Sequence, residues 1–494
     1  MNWLERTIAA ISPQWAYKRQ AWRSGMDALY DSGSRGRLNM NWNPAATADE
    51  NKLRVERNLM LSRARDLERN SDVAEAIIDA FERNVVGAGL TLQAKVPKSV
   101  PGADQINQKI EKLWKEFSKA ENCDITATQS LEEIEEMLVR RYVVDGGILI
   151  VKVFTDDKRF PFKLQVREVD ELDPLTTSFG GNRVVDGIEI NQFGRPLAYH
   201  FKKFDGTRQI HGESVRIEAD KVIFWRRKTS PRQVRELSLL RTAIPRIKDA
   251  NQFIEAVSVK ERVLACLSVF IKKGSPTGSI GRGVNTAGKG SSYDGMSLSP
   301  GMIGELNPGD EVQTVIPAGQ ASNTKDFIST LIRLVGSGIG LSYETISRDM
   351  SNVNYSSARQ GLLEDRKTYK KMQRSLIGTV LSPIYLLFLE TMFLTGQLDI
   401  PDFMQNKELY TAHVWIPPGN TWIDPMKEVN ANKVALESNQ DTLARICAER
   451  GEDWRDVVMQ RAEEMKLIQE LMGGVASGQN NASDGADEEQ QPDE

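Results

Sequence analysis

Among the residues whose type and spacing could do chemistry, Gly283 to Gly290, GVNTAGKG, come nearest to a nucleotide site. A Gly-Lys pair sits at the distance from Gly283 that a phosphate-binding loop requires, but such a loop also needs Ser or Thr after the lysine to hold Mg²⁺. Gly290 supplies no hydroxyl, and the surrounding stretch is so rich in glycine that a partial match arises by chance. Asp170, Glu171 and Asp173 in VDELDP would suit the carboxylate cluster of a two-metal nuclease. No second carboxylate set completes a cage, and Asp173-Pro174 is a turn former at a strand end. Asp145, Gly146 and Gly147 likewise suit a turn.

The three histidines, His200, His211 and His413, fall in no HExxH or Cys/His spacing and read as surface or satisfied core side chains. Cys123, Cys266 and Cys447 are far apart and odd in number, as expected in a reducing cytoplasm rather than in a disulfide framework. No catalytic residue, metal ligand set or cofactor site is expected.

Contact chemistry is better represented. Gly340 to Arg366 places a polar, Asn-rich loop between two apolar-periodic segments. Its core, Ser351 to Ser357 (SNVNYSS), has no acid, His or Cys for acid/base, metal or thiol work, so Ser351, Asn352, Asn354, Tyr355 and Ser356 can only touch a partner. The pattern fits a loop against something long that passes it.

A second contact candidate is basic. Lys202 to Arg282 holds 18 Lys+Arg against eight Asp+Glu, densest at Arg226, Arg227, Lys228, Arg232, Arg235, Arg241, Arg246 and Lys248. Such a surface suits DNA phosphate, and equally an acidic neighbouring subunit. The whole chain has 64 Lys+Arg and 68 Asp+Glu, a net charge of −4, so any nucleic-acid contact is regional.

The elements that must position these residues can be read from periodicity. Asn51 to Val86 reads as two helices broken near Asn70, with Gly87 and Gly89 ending the second and Leu90 to Val96 following as a strand. After a helical stretch from Gln105 to Arg141, strands are expected at Gly147 to Phe154 and Phe162 to Val169 and onward to Trp225. Val184 to Phe201 reads as a hairpin around Asn191 to Pro196.

Val234 to Phe270 is helical in pattern, with a kink or break at Pro245, and Gly274 to Gly301 is a long Gly/Ser loop. A strand at Glu311 to Pro317 and a helix at Lys325 to Gly336 lead to the polar loop. A long helix, Ser357 to Ser382, follows it and is interrupted by Pro383. Its charged face carries Glu364, Asp365, Arg366, Lys367, Lys370 and Lys371. Val429 to Leu471 is helical, broken at Gly451, and the chain after Gly473 is an acidic tail expected to be disordered.

Glu5 and Arg6 stand too early for a secretory leader, and the longest apolar run, Ile384 to Leu394, is about half a membrane span and contains Glu390. A soluble, membrane-free protein of several coupled subdomains is expected.

The segment SYETISRDMSNVNYSSAR closely resembles the tunnel-loop segment of lambda-type tailed-phage portal proteins. The likeness runs from about Tyr30 to Val457. It includes YDSGSRGR with Trp42, RARDLERN, NVVGAGLTL, the hairpin with its Phe-Gly-Arg-Pro turn, SPGMIGELNPGDEV, and WIPPGNTWIDPMKEVNA. It departs at Pro231 to Ser238, PRQVRELS, where the family usually has glycine at Arg232 and Glu236, and at Phe224, where the family commonly has histidine.

The resemblance implies an α+β portal fold with a mixed α/β wing, a helical stem, a small α/β clip, a tunnel loop with a long helix, and a helical crown. Carried onto this chain, residues 1–50 would be an N-terminal arm, 51–230 the wing, 231–266 and 323–342 the stem, and 267–322 the clip with its flexible Gly/Ser loop. Residues 343–357 would be the tunnel loop, 358–428 the long helix and return to the wing, 429–472 the crown, and 473–494 the tail.

The implied role is a dodecameric ring at one capsid vertex of the virion, assembled in the host cytoplasm, through which double-stranded DNA passes non-specifically in packaging and ejection. Implied partners are the terminase large subunit, the major capsid or scaffold protein and the head–tail connector protein. Elementary electrostatics agrees, because a channel coated with cations would hold DNA rather than let it slide. Arg348 and Asp349 at the loop can pair with each other. A packaging enzyme would need the complete P-loop and acidic cage that are missing, and a capsid or adaptor protein without a channel leaves the motif order unexplained.

Overall fold

The computed structural model describes residues 50–205, 208–266, 270–271, 304–305, 324–351, 354–400, 402–419, 425–450 and 452–476. The chain divides into a unit Met1–Leu53, of which only the helical residues 50–53 are described, and a unit Arg54–Glu494.

Helix α1 (Glu50–Asn70) ends where Ser71 takes extended backbone, and α2 (Asp72–Val85) starts with the Ser71 hydroxyl accepting the Ala74 amide at 3.5 Å. The helical spacing of Ala74, Ile77, Ile78, Phe81 and Val85 puts all of them in the core. Gly89 then turns the chain at φ +99°, where a Cβ would lie 2.6 Å from Glu132 Cγ, so no larger residue fits. Strand β1 (Thr91–Ala94), helix α3 (Ala103–Phe117) and helix α4 (Leu131–Val144) follow, α4 opened by a reciprocal Ser130–Glu133 capping box.

Gly146, at φ +89°, sends the chain from α4 into β2 (Gly147–Phe154). A Cβ there would meet the Leu237 carbonyl group at 2.3 Å, so the strand entry and the later 237–238 backbone touch only because this residue is glycine. Strand β2 is the middle of an antiparallel sheet ordered β3 (Phe162–Arg167), β2, β9 (Val222–Arg226). Between them an antiparallel five-stranded sheet runs in chain order through β4 (Ser178–Phe179), β5 (Asn182–Val185), β6 (Ile188–Ile190), β7 (Pro196–Asp205) and β8 (Arg208–Glu218). The β6–β7 turn is held by the Asn191 side-chain oxygen, which accepts from Phe193 and Arg195 amides at 2.9 Å. The smaller core, including Leu149, Val151, Ile188, Tyr199 and Phe201, joins these two sheets.

Helix α5 (Ile244–Cys266) and helix α6 (Thr324–Ile339) pair, with Phe253 and Phe327 rings 4.6 Å apart. Helix α7 (Tyr343–Ser347) and helix α8 (Tyr355–Leu376) flank the polar loop. A π-helical turn, Ile377–Leu381, links α8 without a break to α9 (Ser382–Leu394). Strand β10 (His413–Ile416) returns antiparallel to β1, and helices α10 (Pro425–Glu437), α11 (Leu443–Glu449) and α12 (Trp454–Ala476) complete the described chain. The main core draws α2, α3, α4, α8, α9 and β10 around Trp114, whose ring lies 5.1 Å from Phe388, 5.6 Å from Trp415 and 5.8 Å from Tyr385.

The two helices broken near Asn70, the strand at Gly147–Phe154 and the buried helix at Ile384–Leu394 stand as the sequence predicts, and so does the hairpin turn after Ile190, although the hairpin's first arm is two strands, β5 and β6, split by a turn at Asp186 and Gly187. Several expectations are corrected. The stretch 234–243 is not part of a long helix: apart from a 3₁₀ turn at Leu239–Thr242 it is extended or bent, and Pro245 is in the first turn of α5, where its missing N–H costs nothing.

Pro383 does not interrupt the long helix either. The preceding π turn realigns the carbonyls that the proline ring would otherwise meet. The helix Ser356–Leu394 is long and apolar enough by composition to cross a membrane, but Val380, Leu381, Ile384, Tyr385, Phe388 and Leu389 are buried in the core, which accounts for that composition. Gln105 to Arg141 is two long helices with a one-turn helix, Ala120–Cys123, and a turn between them, in which the Asp124 carboxylate accepts the Thr126 and Thr128 amides. The last helix runs through Gly473 to Ala476, past the expected start of the tail. The N-terminal arm, the P-loop-like Gly283 to Gly290, all of the Gly/Ser loop Gly274 to Gly301, most of the clip, the strand at Glu311–Pro317 and the tail after Ala476 lie outside the described residues.

Buried Glu135 on α4 accepts the Leu90 amide at 3.1 Å. Burial pushes its carboxyl up to about 8, against the Leu90 bond and helped by repulsion from Glu132 and Glu136. Between the ordinary 4.5 and about 8 the folded chain therefore binds one more proton than the unfolded chain, so stability falls as pH rises through that window and levels off above it. Glu135→Gln, which keeps an acceptor for Leu90, is expected to flatten that fall in thermal midpoints measured across the same pH range; an unchanged profile would exclude Glu135 as its source.

Candidate nucleic-acid interface

The polar loop is set by how tightly its two ends are fixed. At the end of α6, Gly340 has φ +88° and packs against Thr368 of α8, whose hydroxyl donates to the Gly340 carbonyl at 2.8 Å. Ser342 then caps α7, and the buried Asp365 carboxylate on α8 receives three donors: the Ser342 amide at 2.7 Å, the Ser342 hydroxyl at 2.7 Å and the Thr345 hydroxyl at 2.6 Å. At 2 % exposure Asp365 is inside, not on the charged face where the sequence pattern put it. Gly361 lets α8 come this close, since a Cβ there would lie 3.3 Å from Ser342 Cβ.

Arg348 closes α7 in the left-handed region at φ 54°, its amide bonded to the Glu344 carbonyl at 2.8 Å. The expected Arg348–Asp349 pairing is replaced by a local turn. Asp349 accepts the Ser351 hydroxyl at 2.5 Å and the Ser351 amide at 3.0 Å, and these bonds hold its exposed carboxyl below the usual range. Asn354 is the N-cap of α8, accepting the Ser357 amide at 2.9 Å.

The loop is therefore shorter than the sequence suggested. Tyr355, Ser356 and Ser357 belong to the first helical turn, Asn354 is committed to capping, Ser351 to Asp349, and Asn352 lies outside the described residues.

The basic segment separates into two groups. Arg235 is 6 % exposed and donates to the Asp186 and Val169 carbonyls at 2.6 and 2.9 Å while pairing with both oxygens of Glu236 at 2.8 Å. Burial works against the Glu236 carboxylate, but Arg235, with Arg57 beyond it, holds its pKa below the usual range. Arg235 is thus a structural cation, and its place on an exposed basic surface is corrected. Arg226 lies 4.9 Å over the Phe224 ring and bonds the Gln233 carbonyl, so the phenylalanine at the family's histidine position makes a cation–π contact. Arg227 and Arg241 are half-buried; burial, with Arg227 nearby, lowers the Arg241 pKa. Lys228, Arg232, Arg246 and Lys248 are exposed.

The other candidate groups are structural. Asp170 pairs with Arg65, Glu171 with Arg167, and Asp173 accepts the Leu175 amide and Thr176 hydroxyl as a turn former. No cluster of three potential metal ligands occurs among the described residues. His200 is buried 3.4 Å from Glu189, His413 bonds Ser382 and Thr411, and burial pushes the Cys123 thiol up to about 12. Sequence reasoning missed Asp365, Thr368 and Arg57. Nothing in the pattern separated Asp365 from the adjacent Glu364 or from the basic residues that follow it.

With this geometry in hand, comparison places the chain. A profile of phage portal proteins of the lambda family matches residues 35–373. The chain belongs to that family. It is 26% identical over 455 residues to the probable portal protein of Halomonas phage phiHAP-1, covering 88% of this chain and 86% of the relative. It is 22% identical over 477 residues to portal protein B of Escherichia phage lambda, covering 88% of each chain. Among solved structures it is similar to a chain of a native gene transfer agent virion, with TM-score 0.39, 13% identity, and coverage of 79% of this chain and 92% of that one. A second, the neck of the native particle computed with C12 symmetry, gives TM-score 0.35, 14% identity, and 70% and 87% coverage.

Asp365→Ala would strand three donors at the base of the loop. A loss of about 1–3 kcal/mol in denaturant unfolding is expected, with faster amide exchange from Ser342 to Ser351, while Asp365→Asn, which keeps one acceptor oxygen, is expected to lose less. Unaltered exchange in that segment would show that Asp365 does not anchor the loop.

Proposed function

We propose that this chain forms a ring-shaped portal at one capsid vertex, a conduit through which genomic double-stranded DNA enters during packaging and leaves at ejection. The observation that carries the reading is the loop between α7 and α8: short, its Arg348 and Asp349 cancelling in net charge, with no His, Cys or second acid beside Asp349, and tied at its base by Asp365. Its place in a chain of the lambda portal family supports it. A loop fixed at both ends keeps its position beside a moving polyanion, and hydroxyls and amides release phosphate easily because they displace few counterions.

In this proposal the ring is dodecameric, residues 51–230 form the wing, α5 and α6 the stem with the clip between them, and α10 to α12 the crown. Residues 343–357 form the tunnel loop, with Ser351, Asn352, Asn354, Tyr355 and Ser356 nearest the DNA. The exposed Lys228, Arg232, Arg246 and Lys248 pair with acidic groups of a neighbouring copy, since free cations lining the bore would hold the duplex. The ring docks the terminase large subunit, the capsid or scaffold protein and the head–tail connector, and performs no catalysis; it assembles in the host cytoplasm and ends in the virion.

Electron-microscopic class averages of the purified protein are expected to show a closed ring with a bore wide enough for duplex DNA. A compact monomer that persists at high concentration would sink the conduit reading. Within the ring, the double variant Asn354→Ala, Tyr355→Ala is expected to lower packaged DNA several-fold with assembly intact. Asn354→Ser, which still caps α8, separates the loop's role from loss of the cap, itself worth about 1 kcal/mol. Normal packaging by the double variant would remove the loop from the translocation path.

A further inference from the structure

A cavity of about 260 Å³ lies between the long helix and α11, away from the polar loop. Arg366, Tyr369, Lys370 and Gln373 of α8 form one wall, Pro417 and Pro418 after β10 a second, and Arg445, Ala448 and Glu449 of α11 a third. Three cations thus face one acid across partly apolar walls. Tyr369 is 4 % exposed, and its hydroxyl has no hydrogen-bond partner among the described residues, which leaves a buried donor in the wall. Lys370 is exposed, and Arg445 makes a 3.4 Å pair with Asp441 while remaining 72 % exposed.

The chemistry fits carboxylates on a narrow, flexible backbone. A DNA duplex, whose major groove alone is about 12 Å wide, reaches the rim cations without entering so small a cavity. The chain itself contains a matching segment. After Lys466 the sequence has no Lys or Arg, and residues 484–494 carry Asp484, Asp487, Glu488, Glu489, Asp493 and Glu494.

Reach is the geometric constraint. Helix α12 starts at Trp454, a few residues after α11 ends at Glu449 beside the cavity. Its 23 residues span about 34 Å at 1.5 Å per residue, the farthest the helix can carry the chain from its start. From Ala476, Asp487 lies up to about 36–40 Å along an extended chain at 3.3–3.6 Å per residue, enough to retrace the whole length of α12.

We propose that the acidic segment 487–494 of this chain folds back along α12 and docks in this cavity, its carboxylates against Lys370 and Arg445. Because both cations are exposed, the contact is electrostatic, screened by salt and reversible. It makes no use of the loop or of DNA, so its test is independent of the conduit reading.

Zero-length carbodiimide coupling of the full-length protein, read by peptide mass spectrometry, tests it by joining an amine only to a carboxylate in contact with it. Amide links from Lys370 to the Asp487–Glu494 peptide are expected at low salt, falling several-fold at high salt. Arg445→Glu is expected to reduce them several-fold, and Lys370→Arg, whose guanidinium does not couple, to abolish them.

Coupling of Lys370 to Glu449 alone, or tail coupling no stronger at Lys370 than at exposed Lys228, would overturn the proposal. Links found only between isotope-labelled and unlabelled copies would overturn it as well, replacing the intrachain contact with one between subunits.

Discussion

The continuity of the helix from Tyr355 to Leu394 is the constraint on which the rest of the structure depends. Over a length of about 60 Å at 1.5 Å per residue it passes from the exposed cap at Asn354 to the aromatic core around Trp114. Every attachment along it fixes a different part of the chain. Asp365 and Thr368 hold the base of the polar loop, Gln373 bonds the carbonyls of Asn84 and Val85 at the end of α2, and Ser375 receives the Trp225 indole of β9 at 2.9 Å. Tyr369, Met372 and Leu376 already seat α8 in the main core, and the unbroken π turn extends the same helix to Tyr385 and Phe388 beside Trp114.

Glu135, Asp365 and the Arg235–Glu236 pair, buried ionisable groups among the described residues, serve attachment. Perturbed groups often mark active sites because desolvation and a charge partner are the means of tuning them. Here Glu135 faces the Leu90 amide, Asp365 two residues of α7, and Arg235 with Glu236 the carbonyls that close the two sheets together. Each satisfies backbone or capping groups that would otherwise be buried without a partner, and truncating either half of such a pair costs more than the pair contributes.

What could be read from the sequence follows from how local each interaction is. The break after Asn70 and the Asn191 turn were legible because a cap or turn side chain bonds an amide only two to four residues ahead, whereas the caps at Ser130 and Asn354, equally local, passed for helix interior and for loop. The pairing of β1 with β10, with Thr91 opposite Ile416, depends on residues too distant for any periodicity to connect. Charge was the least legible property. Arg235 and Asp365 look in sequence like their exposed neighbours, and only the fold shows that one lies between carbonyls and the other beneath a cap. The loop was recognised by composition but drawn too long, since asparagine and serine serve equally as loop residues and as caps.

A passing duplex releases counterions wherever it meets a free cation, so a conduit needs its lysines and arginines engaged or turned away from the path. The long helix carries Arg366, Lys367, Lys370 and Lys371 within two turns of the loop base at Asp365, and Glu364 pairs with Lys367 at 2.6 Å. Arg366 and Lys370 are the members of that row that line the cavity beside α11, and of the two Lys370 is the exposed one. A carboxylate-rich strand seated there lowers the local positive potential over a Debye length of about 8 Å at physiological salt. The acidic end of the chain would then be a counter-charge for the helix that carries the loop, and not merely a solubilising appendage.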